Sequence, residues 1–203
     1  MKKKKIAIVV CTFLFIYFLG GVIYSFIEKD KEENTPEIKI GDTIKNYNYI
    51  LYENDTEIYS KEYKNLKKIL ESKEIDYKEY AIGISKLFLI DLYTLDNKKN
   101  KYDIGGIEFI YPNSVENYKL NVENTIYKYI IDNTNGKREQ ELPIVKNVEL
   151  IDIEETEYKI DDNEFEAYNL NLNIEYEKDL EYDKRANIII IKQDKNLYIV
   201  EKK

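Results

Sequence analysis

Few side chains in this 203-residue sequence combine a reactive type with a telling position. Asp91 lies inside an apolar stretch, seven residues after Ile84 and three after Phe88, so a helix there would carry its carboxyl on a buried face. A carboxylate taken out of water is costly unless paired, and one held in a cleft could serve as an acid or a base. Tyr80 and Tyr111 could share such a pocket, because tyrosine and carboxylate pairs can move protons without histidine. The other expectation for Asp91 is plainer: it accepts a hydrogen bond from a tyrosine or sits at the helix margin. Arg138, in the stretch GKREQELP, is one of only two arginines and could clamp a carboxylate inside the domain or on a partner.

What is missing narrows the chemistry further. There is no histidine, no tryptophan and a single cysteine, Cys11. Neither a Ser-His-Asp set nor a Cys-His pair can be built, and a zinc site with His or Cys ligands is equally excluded. A metal would need oxygen ligands alone. The acidic link Glu154 to Glu166, with Asp152 beside it, offers many, but it lacks the spacing of a calcium loop and reads as a solvated hairpin connection, so no metal or cofactor is expected. Gly105-Gly106 is not followed by a Lys-Ser/Thr phosphate signature and reads as a bend that lets the chain turn over a helix.

These residues need elements to hold them, and the principal one is Tyr77 to Leu95. Tyr80, Ile84, Leu87, Phe88, Leu92 and Leu95 recur at helical spacing, while Ile82, Leu89 and Ile90 add apolar surface on other sides. Such a helix must be covered on several faces. Asp76 is placed to cap it, and a shorter helix precedes it with Tyr63, Leu66 and Leu70 on one side and Ser60 as N-cap. Ile38 to Tyr59 reads as short extended or wrapping pieces, with turns at Gly41-Asp42 and Glu53-Asn54-Asp55. After the Gly-Gly pair, IEFIYP alternates as a strand. A helix capped by Asn113 or Ser114 then runs to about Asp132, with Val115, Tyr118, Val122, Ile126, Tyr129 and Ile130 as its stripe. The rest is extended: Ile144 to Ile153, the alternating Tyr168 to Tyr176, the doubly apolar Ile188 to Ile191, and Leu197 to Val200 behind a turn at Asp194-Lys195-Asn196.

The first 37 residues read differently. Residues 1–5 form a basic cytoplasmic tail, and 6–27 (Ile6 to Ile27) an apolar run without Asp, Glu, Lys or Arg. Twenty-two helical residues at about 1.5 Å each span roughly 33 Å, enough for a hydrocarbon core. Lys2 to Lys5 on one flank put the N-terminus in the cytoplasm and everything beyond Glu28 outside, an expected single-pass cell-membrane protein. The alternatives fit less well. A cleaved signal peptide would have a shorter apolar region and a small-x-small site, which Ile23 and Ser25 supply poorly, and a lipoprotein centred on Cys11 would need a small residue where Val10 stands. Residues 28–37 read as a charged stalk with Pro36, leaving 38–203 as one extracytoplasmic α+β domain. Lys2 to Lys5 account for four of the 31 basic side chains, and those remaining are well outnumbered by 39 acidic ones. Such a surface argues against nucleic acid as a partner.

The expected fold class is thus α+β: an N-terminal transmembrane helix, then a helix-helix-strand-helix unit packed on a curved antiparallel sheet. That order, over about residues 60–203, resembles the nuclear transport factor 2-like cone. SKLFLIDLYTLDNK, DIGGIEFIYP and GKREQELPIV also look like stretches of small membrane-associated proteins of Gram-positive bacteria without an assigned activity. The resemblance implies a fold and no reaction, since one fold hosts many functions. Three readings follow. The first is a membrane-anchored, extracytoplasmic, non-catalytic interaction or ligand-binding module with a protein partner or ligand on the outer face. The second is an assembly subunit similar to the bitopic scaffolds of secretion and conjugation machines. The third is a cone enzyme using Asp91 with Tyr80 or Tyr111.

Overall fold

The computed structural model describes Lys39–Lys203, and the cytoplasmic tail, the apolar run and the stalk expected over residues 1–37 lie outside the described residues. Two short strands open the domain, β1 (Ile40–Ile44) and β2 (Tyr49–Tyr52), and two helices follow, α1 (Glu57–Leu70) and α2 (Tyr77–Tyr93). Two single 3-10 turns, Ile107–Phe109 and Pro112–Ser114, lead into α3 (Val115–Asn124). Four strands complete the chain: β3 (Val145–Ile160), β4 (Asn163–Tyr176), β5 (Arg185–Gln193) and β6 (Asn196–Lys202). They pair antiparallel in sequence order as a meander, so the protein is α+β with three helices against a four-stranded sheet. Among the described residues no helix is long and apolar enough to cross a membrane.

The central helix forms where its apolar spacing requires. Asp76 caps α2 by accepting from the backbone N–H groups of Lys78 and Glu79, at 2.9 and 3.2 Å. Tyr80, Ile84, Leu87, Phe88, Leu89 and Leu92 are fully buried, each contributing about 2 kcal/mol of apolar transfer. Helix α1 covers one side, close enough that a Cβ at Gly83 would lie 3.0 Å from Leu66 Cδ1. On another side Leu170, Leu172, Ile188 and Ile190 of the sheet join the same core.

Five local expectations are corrected. Helix α1 begins at Glu57, three residues before Ser60, because Thr56 is its N-cap and accepts from Tyr59 N–H at 3.3 Å. Gly41-Asp42 is not a turn but lies within β1, where Gly41 is an unpaired bulge, and the hairpin turns instead at Asn46 and Asn48, both with positive φ. IEFIYP is not a strand: Gly106 takes φ 75° and feeds the 3-10 turn, leaving Ile110 alone to bridge Ile199 of β6. Helix α3 carries no capping box, since a 3-10 turn enters it and Ser114 makes no side-chain cap bond. It also stops at Asn124, well before Asp132, because Asn124 Nδ2 and Thr125 Oγ1 take the carbonyls of Leu120 and Asn121, each at 2.7 Å.

The acidic run is likewise strand for most of its length, with β3 and β4 turning only at Asp161-Asp162. Beyond the Ala167–Ile191 pair β5 no longer accompanies them, and the last four pairs, Glu157–Glu166 to Ile160–Asn163, form a two-stranded ribbon. Two bulges lengthen β3 against its partner. Lys146 and Ile151 are the extra residues, which is why Ile151, without an opposite number, stands 56% exposed.

Candidate functional site

Asp91 occupies the last turn of α2, half-buried, and its partner is neither tyrosine nor arginine but Lys98. The lysine side chain is 8% exposed and its ammonium meets Asp91 Oδ1 directly. Asp91 Oδ2 accepts from the backbone N–H of Gly106 at 2.6 Å. Gly105 lies flat on the helix, where a Cβ would come within 2.4 Å of the Asp91 carbonyl oxygen, and a Cβ on Gly106 would strike Phe88 at 2.5 Å. The Gly-Gly pair therefore does serve to turn the chain over a helix. Tyr118 donates to Gly105 carbonyl at 2.6 Å, and Tyr127 donates to Leu92 carbonyl at 2.9 Å. Burial keeps both phenols protonated, far above the usual tyrosine range.

Beside this knot stands Glu108, which accepts from Tyr59 at 3.1 Å. Desolvation by the surrounding protein, with the Asp91 charge second, pushes its carboxyl up to about 7. The residue keeps an exposed surface, and water there screens part of the effect.

Tyr80 and Asp91 share a face of α2 but stand eleven residues apart, about 16 Å along the axis. Tyr80 is fully buried, bonded to Tyr49 hydroxyl at 2.7 Å and crossed edge-on by Tyr47, and burial pushes it up to about 12. Tyr111 packs on Tyr198 of β6 with ring centroids 6.1 Å apart, and its N–H donates to Ile199. Among the described residues no hydrogen bond joins these three, so the pocket expected from them is not assembled. Arg138 does not clamp a carboxylate within the domain. Its guanidinium donates to the carbonyls of Asp96 and Lys98 at 2.6 and 2.8 Å, tying the loop after α2 to the loop before β3.

The concavity best suited to a ligand lies elsewhere, between α3 and β6, with a volume of about 540 Å³. Phe88, Leu92, Ile110, Val122 and Ile199 give it an apolar floor, and Asn117, Asn121 and Thr125 a polar rim. At one end Asp183 accepts from Tyr93 at 3.2 Å and lies 3.6 Å from Lys202 Nζ. An apolar floor with a few polar groups at its margin suits a small amphipathic molecule. Phe88 and Tyr118, the side chains seated by the Asp91 knot, form its inner wall with ring centroids 5.9 Å apart. The stripe of α3 marked Val122 and Ile126 as core residues. That the helix stops early and leaves part of the stripe open was not written in it, and neither Lys98 nor Asp183 carried any signal. Among the described residues no group of three or more acidic or cysteine side chains is placed to hold a metal. Comparison of the chain with protein-family models, curated proteins and solved structures gives no match in any of the three.

Two outcomes follow from the knot. Lys98→Met leaves Asp91 without its counter-charge and costs about 2–4 kcal/mol, slightly under the range for a fully buried pair because 23% of the Asp91 side chain reaches water. Asp91→Asn with Lys98→Met should cost less than the sum of the two single changes in denaturant unfolding; strict additivity would mean no coupling. For Glu108 the folded pKa lies above the unfolded one, so the folded state binds the extra proton. The stabilisation is fully present below about 4.5 and is lost as pH rises through about 7. Glu108→Gln keeps an acceptor for Tyr59, and its melting temperature should gain on the wild type between pH 5 and pH 8. A constant difference across that range would contradict the assignment.

Proposed function

We propose that this chain is a membrane-tethered, non-catalytic ligand-binding or interaction module held outside the membrane, with the groove between α3 and β6 as its binding site. The observation that carries the reading is the groove itself: an apolar floor that the core leaves uncovered, edged by neutral amides and by Asp183, Glu201 and Lys202. A ligand with an apolar body and a polar end matches it. The order of two helices, a third helix and a four-strand meander supports a nuclear transport factor 2-like cone as the finer description of the fold. Tethering rests on the sequence of residues 6–27 and on the lysines before them. The catalytic reading draws no support from this geometry, in which Asp91 is neutralised by Lys98 and stands far from Tyr80.

Anilinonaphthalene sulfonate, an aromatic amphiphile, serves as probe for the groove. It should bind the folded chain with micromolar affinity, and Ile126→Trp, which fills the groove from the turn after α3, should weaken binding at least tenfold with an unchanged melting temperature. Equal binding by the two proteins would rule the groove out. Tethering is read by alkaline extraction of native membranes followed by protease added to the outer face. The full-length chain should stay with the lipid and then lose its C-terminal domain; release by alkali, or full protection from protease, would overturn the topology.

A further inference from the structure

The helix side of the α3–β6 groove is a row of neutral polar side chains. Ser114, Asn117, Asn121 and Thr125 follow one another at helical spacings of three, four and four. Thr125 Oγ1 is spent on the Asn121 carbonyl at 2.7 Å, but among the described residues no hydrogen bond takes the Ser114 hydroxyl, the Asn117 amide or Asn121 Nδ2. Each of the three charged residues that line the groove already has a partner. Glu201 lies 3.1 Å from Lys203 Nζ, and Asp183 lies 3.6 Å from Lys202 Nζ, which also stands 5.2 Å over the Tyr93 ring. The groove thus offers free amides and no unmatched charge.

The sheet side of the groove offers backbone. β6 is an edge strand, paired with β5 on one side only. Asn187 and Lys203 exchange both backbone hydrogen bonds, at 3.1 and 2.9 Å, and bonded and unbonded pairs alternate along an antiparallel ladder, so the next pair, Ile188–Lys202, is an unbonded one. The N–H and C=O of Lys202 therefore point away from β5. Ile199 faces the same way, and its carbonyl accepts from Tyr111 N–H at 3.0 Å in the single bridge made before the chain turns off into Pro112–Ser114. Val200, between the two, is a bulge without an opposite residue in β5. Past Tyr111 no segment among the described residues pairs with this edge, and Val200, Glu201 and Lys202 line the groove there.

We propose that the α3–β6 groove takes an extended, uncharged peptide, laid as a further strand on the β6 edge where Tyr111 leaves it. The inference rests on the reading of this groove as the binding site and names the class of its ligand. Two spacings agree. Asn117 and Asn121 are four helical residues apart, about 6 Å along the axis, and in an extended chain the backbone groups of one side recur at every second residue, about 6.6 Å. Such a chain turns one row of N–H and C=O groups to the Lys202 edge and the other to the asparagines, whose amides both donate and accept. Its side chains then point alternately to the floor of Phe88, Leu92 and Val122 and to water, which asks for apolar and neutral polar residues in alternation. A lipid-like molecule would cover the floor and leave both the amide row and the strand edge unused.

The test uses the full-length chain in lipid nanodiscs and a panel of end-blocked, fluorescein-labelled hexapeptides that alternate threonine with valine, leucine or phenylalanine. At least one should bind with sub-millimolar affinity by fluorescence anisotropy, be displaced by its unlabelled form, and slow hydrogen exchange across Val200–Lys203. The same peptide N-methylated at its apolar residues loses one row of donors and should bind at least tenfold more weakly. Asn117→Ala with Asn121→Ala, both on exposed positions, should weaken the peptide about tenfold, with the melt not lowered and anilinonaphthalene sulfonate bound as before. A panel without a single binder, an N-methylated peptide that binds as well as its parent, or an asparagine variant that keeps full affinity would each overturn the proposal. If the sulfonate binds wild type and not Ile126→Trp while no peptide binds, the groove stands as the site of a small amphiphile and the peptide alone falls.

Discussion

The ion pair between Asp91 and Lys98 is the constraint on which the rest of the domain leans. Asp91 sits in the last turn of α2, where the helix already ends in partial negative charge, so an anion there is doubly disfavoured. Lys98 answers both: its ammonium meets the carboxylate and stands at the negative end of the helix. In holding the carboxylate it also fixes the oxygen that accepts from Gly106, and Gly106 sets how Phe88 lies. From there the influence reaches Tyr118 and the inner wall of the α3–β6 groove. One buried charge thus determines the shape of a cavity that it does not line.

Tyrosine supplies much of the remaining order. With twenty tyrosines and no tryptophan or histidine, the sequence fills its core with rings that each bring a hydroxyl needing a partner. The partners are mostly backbone carbonyls at element ends. Tyr127 donates to Leu92 carbonyl, one of those left open at the end of α2, Tyr63 donates to Tyr49 carbonyl in β2, and Tyr176 to Asp183 carbonyl beyond β4. These tyrosines therefore act as a set of pins. The pins reach from seven residues, Tyr176 to Asp183, to thirty-five, Tyr127 to Leu92, and a raised pKa keeps each a donor across the ordinary pH range.

Periodicity made the architecture legible. The central helix, its Asp76 cap, the alternating strand after Tyr168 and the central place of Ile188 to Ile191 all follow from spacing of apolar residues, which reports what must be buried. Element ends were less legible, because they depend on competition between local bonds. Thr56 won the first cap over Ser60, and Asn124 with Thr125 drew off the carbonyls that would have prolonged α3. The candidate site was legible only in fragments. Phe88, Leu92 and Val122 were marked as apolar, but a core-facing stripe and a groove-lining stripe have the same period. The roles of Arg138 and Lys98 were hidden for another reason: what they bind is backbone or a single carboxylate brought close by the fold, and neither leaves a mark in the chain.

The two bulges of β3 add a point about inheritance of shape. Lys146 and Ile151 have no opposite residues in β4, so the longer strand bends around the shorter one. The bend is set by how many residues the two strands have, sixteen against fourteen, and hardly at all by which residues they are. Substitutions can accumulate along both strands without straightening the sheet, whereas loss of the two bulge positions, Lys146 and Ile151, would flatten it while leaving every remaining pair in register. In this domain curvature is stored as a difference in length, and the events that reshape it are deletions and insertions.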